Sequence, residues 1–361
     1  MTAFDSSQIT ALFSEFNHPT LSKNLIELGA LTSCEKTGET LSIQLTMPFV
    51  WNNAFESLKA SLTEKLMQVA NVKSVNWSMN YDIATLKRAN NQPAIANIKN
   101  IIAVSSGKGG VGKSSTAVNL ALALQQEGAK VGLLDADIYG PSIPKMLGTT
   151  EEHPLSPDNK HMTSITAYGL ATNSIGYLVE QDNAMIWRGP MASKALLQIL
   201  QDTMWPELDY LVIDMPPGTG DIQLTLGQNI PVTGAVIVTT PQDIALIDAQ
   251  KGIAMFNQVN IPVLGVVENM SYHICENCGY HEAIFGEDGA KQLVEHYHTT
   301  LLGQIPLHRS LRADLDAGKP TVINQPNSEF AHLYYELADR VAAELYWQGE
   351  TILPDISFRA L

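Results

Sequence analysis

The chain has 361 residues, 45% of them hydrophobic and 16% charged. This ordinary globular composition excludes disorder and collagen-like repeats as the main architecture, and the length suggests about two domains. A net charge of −15, from 22 basic and 37 acidic residues, argues against a broad nucleic-acid footprint.

Residues 1–84 read as a small α+β domain. A first strand is expected over Leu25 to Leu31. Leu41, Ile43, Leu45 and Met47 then alternate with polar residues, the period of a half-buried strand. Phe55, Leu58, Leu62, Leu66 and Val69 recur at helical spacing, and Val75, Trp77 and Met79 alternate as a later strand. Cys34 lies alone near a strand end, where a free cysteine behaves as a small hydrophobe. Residues 85–98 read as a linker, polar from Thr85 to Pro93. The charge divides nearby: residues 1–95 carry 7 basic and 8 acidic residues, leaving 15 and 29 for the remainder.

Residues 99–361 alternate short apolar runs with helical patterns. Strands are expected at Ile101–Ser105, Lys130–Leu134, Tyr210–Asp214, Ala235–Thr239 and Val263–Val267, with a helix over Lys113–Gln126. Alternation of this kind predicts a doubly wound, mostly parallel α/β sheet, which binds ligands beyond the carboxyl ends of its strands. No apolar run approaches the roughly 20 residues of a membrane-spanning helix. With three cysteines and no secretory leader at Met1, the expected compartment is the reducing cytoplasm.

Gly107, Lys108, Gly109, Gly110, Val111, Gly112, Lys113 and Ser114 fit G-x-x-x-x-G-K-[ST] between a strand and a helix. Glycines let backbone N–H groups face phosphate oxygens, and the helix N-terminus favours an anion. Lys113 is placed for the β- and γ-phosphates and Ser114 for Mg²⁺, with Ser115 completing the nucleotide-binding set. Lys108 is extra to the simple pattern. With it, the loop resembles the deviant Walker A motif of the nitrogenase iron protein and cell-division ATPase superfamily. There a second lysine reaches the nucleotide of a facing subunit.

Asp214 ends an apolar strand as a Walker B aspartate would, as a second candidate Mg²⁺ ligand. Asp137 resembles a switch aspartate acting on the attacking water, while Asp135 is placed to cap the turn. Lys108, Lys113, Asp137 and Asp214 are thus the candidate catalytic residues. The loop from Asp214 to Asp221 suits a γ-phosphate switch through the Gly218 backbone.

Cys275 and Cys278 form a lone CxxC. Two thiolates cannot close a four-ligand site. His273 and His281 could complete a zinc site, the pair could be a redox dithiol, or two chains could share a Cys₄ set suited to an iron–sulfur cluster. Spacing alone does not choose among them.

The P-loop, the run from Asp137 to Ser142, the Asp214–Asp221 loop, Thr240-Pro-Gln242 and the cysteine pair together resemble the Mrp family over residues 96–361. The family consists of cytosolic P-loop ATPases that carry iron–sulfur clusters. The resemblance implies ATP and Mg²⁺ binding, a homodimer bridging a [4Fe–4S] cluster through Cys275 and Cys278 of each chain, and cluster transfer from a donor to apo iron–sulfur proteins. It also implies that Asn269 lies near the adenine. Residues 1–95 resemble a MIP18-type domain but have His18-Pro-Thr20 and Met47-Pro48 where such domains carry an acidic run and a Cys-Pro pair, which points to docking of partners. Competing readings are a partitioning or site-placing ATPase, a zinc-stabilised P-loop ATPase and an electron-donating reductase. The first needs DNA or membrane contact. The acidic balance opposes DNA binding, and the acidic stretch Glu336–Glu344 lacks the basic face of a membrane-surface helix. Neither nucleic acid nor membrane is expected as a partner. The third competing reading, the reductase, places its cluster cysteines in two separated positions.

Overall fold

The computed structural model describes residues 6–89, 92–178 and 189–352. Residues 1–5, 90 and 91, 179–188 and 353–361 of the expected domains and linker lie outside them.

The N-terminal unit begins with α1 (Ser6–Glu15), β1 (Leu31–Thr37), β2 (Thr40–Met47), α2 (Asn52–Ala70) and β3 (Ser74–Tyr81). β1 runs antiparallel to β2, and β3 returns parallel to β2 through the α2 crossover. Leu41, Ile43, Leu45 and Met47 are buried, as their alternation requires. The strand expected over residues 25–31 is instead a turn leading into β1. The Asn24 side chain accepts the N–H groups of Ile26 (3.1 Å) and Glu27 (2.9 Å), which bends the chain before a strand can start. Cys34 therefore falls inside β1, half-buried, and burial pushes its thiol up.

The larger unit continues through β4 (Ile98–Ser105), α3 (Lys113–Gln126), β5 (Val131–Asp135), α4 (Ile143–Met146), β6 (Met162–Thr163), β7 (Ile165–Ala167) and β8 (Leu170–Ser174). Next come α5 (Gly189–Asp202), β9 (Thr203–Met204), β10 (Leu208–Asp214), α6 (Asp221–Asn229), β11 (Gly234–Thr239) and α7 (Asp243–Gln258). The last elements are β12 (Val263–Ile274), β13 (His281–Glu282), α8 (Gly289–Tyr297), β14 (Leu301–Leu307), α9 (Arg309–Asp316), α10 (Thr321–Asn324) and α11 (Glu329–Gln348). The sheet order is β13-β12-β11-β4-β10-β5-β8-β7, with β14 also paired to β12. From β12 to β8 all neighbours are parallel, and β7 and β13 are antiparallel additions.

Both faces of this sheet are covered, so its strands are apolar throughout rather than alternating. Ile102 and Val104 of β4 pack in a core with α3 and α11. Ile101 and Ala103 pack on the other face with α5, α6, α7 and α8. Strand order reverses around β4, which places the β4–α3 turn at the crevice where such sheets bind ligands.

The N-terminal unit packs on the α3/α11 side, and its core is continuous with that layer. Phe49 lies 5.2 Å from Tyr346 and 6.0 Å from Trp347, ring centre to ring centre. Helix α2 has no side-chain cap of its own at Trp51. Two carboxylates of the larger unit cap it instead: Glu127 accepts Asn53 N–H (2.7 Å) and Asp339 accepts Ala54 N–H (3.0 Å). The stretch after Ile83 is pinned as well. The Asn100 amide bonds Ala84 O and Leu86 N, and Ala89 N–H donates to Val232 O.

Candidate functional site: a phosphate loop and a cysteine turn

Loop 106–112 leaves β4 and turns directly into α3 at Lys113. Two glycines are imposed by close packing. A Cβ on Gly107 would lie 2.1 Å from the Asp248 carbonyl of α7, and one on Gly112, at φ 84°, would lie 2.0 Å from Asn269 Nδ2. The loop is therefore seated on α7 at one end and on β12 at the other.

Lys113 is only 5% exposed. Its ammonium lies 2.5 Å from Asp214 Oδ1, 3.5 Å from Asp137 Oδ2 and 3.3 Å from Ser114 Oγ. Three of the expected catalytic residues thus meet at one point. Burial pushes the Asp214 carboxyl up, with Lys113 pulling the other way. Asp214 Oδ2 is buried with no hydrogen-bond partner among the described residues. An anionic oxygen of that kind, beside the Ser114 hydroxyl, suits a hard divalent cation.

Asp135 serves a different purpose. Fully buried, it accepts Asp137 N–H (3.1 Å), Ile143 N–H (3.2 Å) and the Ser174 hydroxyl (3.0 Å). It fixes the turn that carries Asp137. Burial, then the charge of Asp214, raise its pKa to about 7. Gly218, at φ 99°, donates its N–H to Ser106 O (2.8 Å), so the Asp214–Asp221 loop rests against the phosphate loop. Lys108 is half-buried and forms no ion pair among the described residues, while Ser114 and Ser115 are half-buried at the start of α3. Asn269 is buried, and its amide donates to Val111 O (2.9 Å).

The cysteines follow β12 without a break, because that strand runs to Ile274 and does not end at Val267 as its sequence suggests. Cys275 N–H donates to Tyr280 O and Gly279 N–H to Cys275 O, closing a tight turn with Gly279 at φ 72°. Cys278 is exposed and Cys275 half-buried. The N–H groups of Asn277 and Cys278, then the Cys278 thiol, hold the Cys275 thiol below its usual range, which favours the ligating thiolate. The two histidines do not join them. His273 Nδ1 pairs with Leu307 O (3.2 Å), and His281 stacks on Tyr272 at 4.9 Å. Among the described residues, no three His, Cys, Asp or Glu side chains gather as a metal site.

Residues 97–342 match the family model of the NUBPL iron-transfer P-loop NTPase. The chain belongs to the NUBPL iron-transfer P-loop NTPase family. It is 66% identical over 355 residues to the iron–sulfur cluster carrier proteins of Salmonella typhimurium LT2 and Escherichia coli K12, covering 98% of this chain and 96% of each relative. It is 51% identical over 256 residues to the mouse iron–sulfur cluster transfer protein NUBPL, covering 70% of this chain and 80% of that one. Among solved structures, an Archaeoglobus fulgidus nucleotide-binding protein in complex with ADP superimposes with a TM-score of 0.58 at 36% identity, over 66% of this chain and 93% of its own.

For this NUBPL-family chain, sequence patterns point to the residues that end strands and miss their supports. Ser174, which holds Asp135, lies 39 positions away on β8, a strand with no clear signal. Asn269 stands out from sequence as a residue after a strand. Its bond to Val111, 158 positions away, is visible only in the fold.

Proposed function

We propose that this chain is an ATP-hydrolysing carrier of a [4Fe–4S] cluster. Two copies hold the cluster through Cys275 and Cys278 and pass it to apo iron–sulfur proteins in the cytoplasm. The observation that carries this reading is the cysteine turn. One thiolate is favoured by backbone N–H groups and the other is exposed, with no third ligand gathered beside them among the described residues. A second copy supplies the missing two, and four thiolates are the ligand set of such a cluster. The names of the bacterial and mouse relatives support the same cargo.

The phosphate loop supplies the ATPase half. Lys113 would exchange its bonds to Asp214 and Asp137 for the phosphates, and loop N–H groups and the α3 N-terminus would hold the remaining oxygens. Ser114 and Asp214 are the residues suited to Mg²⁺, which supplies charge neutralisation at the transferring phosphoryl group. Asp137 would orient the attacking water and take its proton, and Gly218 N–H would exchange its bond to Ser106 O for the γ-phosphate. Lys108, without an ion pair of its own among the described residues, is available to the nucleotide of the facing copy. No described helix is long and apolar enough to cross a membrane.

The test is transfer. Chain loaded with cluster under anaerobic conditions is mixed with a clusterless [4Fe–4S] enzyme, whose recovered activity is followed. Recovery with the wild type and none with Cys278→Ala supports the carrier role. Equal recovery from free iron and sulfide alone rejects it.

A further inference from the structure

The phosphate loop and the cysteine turn are connected by one short stretch of β12. Asn269 sits at one end, buried, with its amide on Val111 O and its Nδ2 where a Gly112 Cβ would be. Cys275 sits at the other, directly after the strand. Five residues lie between them, and the six Cα steps span at most about 22 Å.

That stretch is irregular yet tightly held. Met270 has φ 54°, a left-handed conformation that non-glycine residues seldom adopt. Pairing with β14 loses register between Asn269 and His273, the mark of a bulge. A buried carboxylate clamps the irregularity: Glu268 accepts the Ser271 hydroxyl (2.6 Å), the Gln304 amide (2.9 Å) and Ala290 N–H (2.9 Å). Gln304 also reaches Ser271 Oγ (3.0 Å), and His273 is fixed to Leu307 O. A strained residue kept in place by surrounding bonds is a common feature of segments that transmit change. With the bulge clamped, the backbone has no slack between the Val111 contact and Cys275.

We infer that Asn269 is a positioning residue for the cysteine turn, reporting nucleotide occupancy of the phosphate loop to Cys275 and Cys278 through the clamped β12 bulge. The inference rests on the proposed nucleotide and cluster sites and adds the link between them. Movement of Val111 when the loop closes on phosphates pulls on the Asn269 amide, and the rigid segment passes the displacement to the turn. Asn269→Asp keeps the shape but removes the N–H donor, so it breaks the link at its origin. Met270→Gly keeps the Val111 bond but gives the bulge free φ, so it introduces slack. Glycine also suits φ 54° better than methionine, so this variant is expected to fold.

The test uses the full-length, cluster-free, reduced chain. Alkylation of each cysteine by iodoacetamide is followed by mass spectrometry with and without saturating MgADP. Cys34, in the other unit, is the internal reference. Nucleotide binding is measured in parallel. In the wild type, MgADP should change the Cys275 rate about fivefold relative to Cys34, the low end of usual coupling strengths. In Met270→Gly, nucleotide should still bind while the change falls below about twofold. Asn269→Asp also loses a support of the phosphate loop, so its nucleotide affinity should fall; at a concentration that saturates the variant, its change at Cys275 should likewise fall below about twofold. A wild type that binds MgADP with no change at Cys275 overturns the inference and leaves the proposed function standing. So does a full response in Met270→Gly. Failure of the wild type to bind nucleotide removes both.

Discussion

Lys113 is held by two aspartates and a serine hydroxyl, in a pocket that leaves one Asp214 oxygen without a partner among the described residues. Removing it withdraws the charge that phosphates need and strands Asp214 in the interior. Lys113→Ala should therefore weaken nucleotide affinity and reduce hydrolysis together, the latter by about 100-fold or more. Lys108 forms no such ion pair among the described residues. On the proposed role of its charge in the transition state, Lys108→Ala should reduce hydrolysis by a similar factor while leaving affinity within about threefold. Equilibrium binding beside steady-state hydrolysis separates the two, and a parallel loss of affinity in Lys108→Ala would contradict its action across a dimer. These lysines and aspartates are legible in sequence because glycine spacing and strand ends mark them. Asp135 shows the limit: its place at a turn is readable in sequence, but Ser174 and the two N–H groups that it accepts are visible only in the fold.

At the scale of elements, the phosphate loop is defined by what it packs on. Gly107 touches the backbone of α7, a contact no side-chain rotation can relieve. Gly107→Ala should displace the loop and weaken nucleotide binding by roughly tenfold, within the 1–3 kcal/mol range of overpacking, with the cysteine turn still able to take metal. Calorimetric titration with ATP checks it; unchanged affinity would show that α7 does not set the loop. Helix α3 was readable because a glycine loop opens it and its apolar residues are continuous. The turn at residues 24–29 and the continuation of β12 were not. Leu25, Ile26 and Leu28 look strand-like until the Asn24 side chain competes for the backbone. Asn269, Met270 and Ser271 look like a strand end because a bulge breaks their pattern.

Across the whole molecule, the two units meet through a continuous core and a pair of buried carboxyl groups on the α2 N-terminus. Burial, then the neighbouring charge of Glu127, raise the Asp339 carboxyl well above its usual 3.8. A carboxyl raised by folding binds its proton more tightly in the native chain. The junction is therefore most stable below pH 3.8 and loses stability as pH rises through the raised value. Asp339→Asn keeps an oxygen for Ala54 N–H and removes the ionisation. It should raise Tm at pH 8 by roughly 2–4 °C, the shift that about 1 kcal/mol produces, and by less at pH 5. A gain at pH 5 equal to that at pH 8 would contradict the assignment. None of this junction is legible in sequence, since its partners lie 74 and 285 positions apart. A cluster shared by two chains depends most directly on the cysteine turn. The measurement is anaerobic reconstitution with iron and sulfide, followed by iron and sulfide analysis, visible absorption and mass in solution. Wild type should hold about four iron atoms per two chains, and Cys275→Ala or Cys278→Ala should hold almost none while remaining folded. Full cluster content in either variant, or a cluster complete on a single chain, would contradict the shared site.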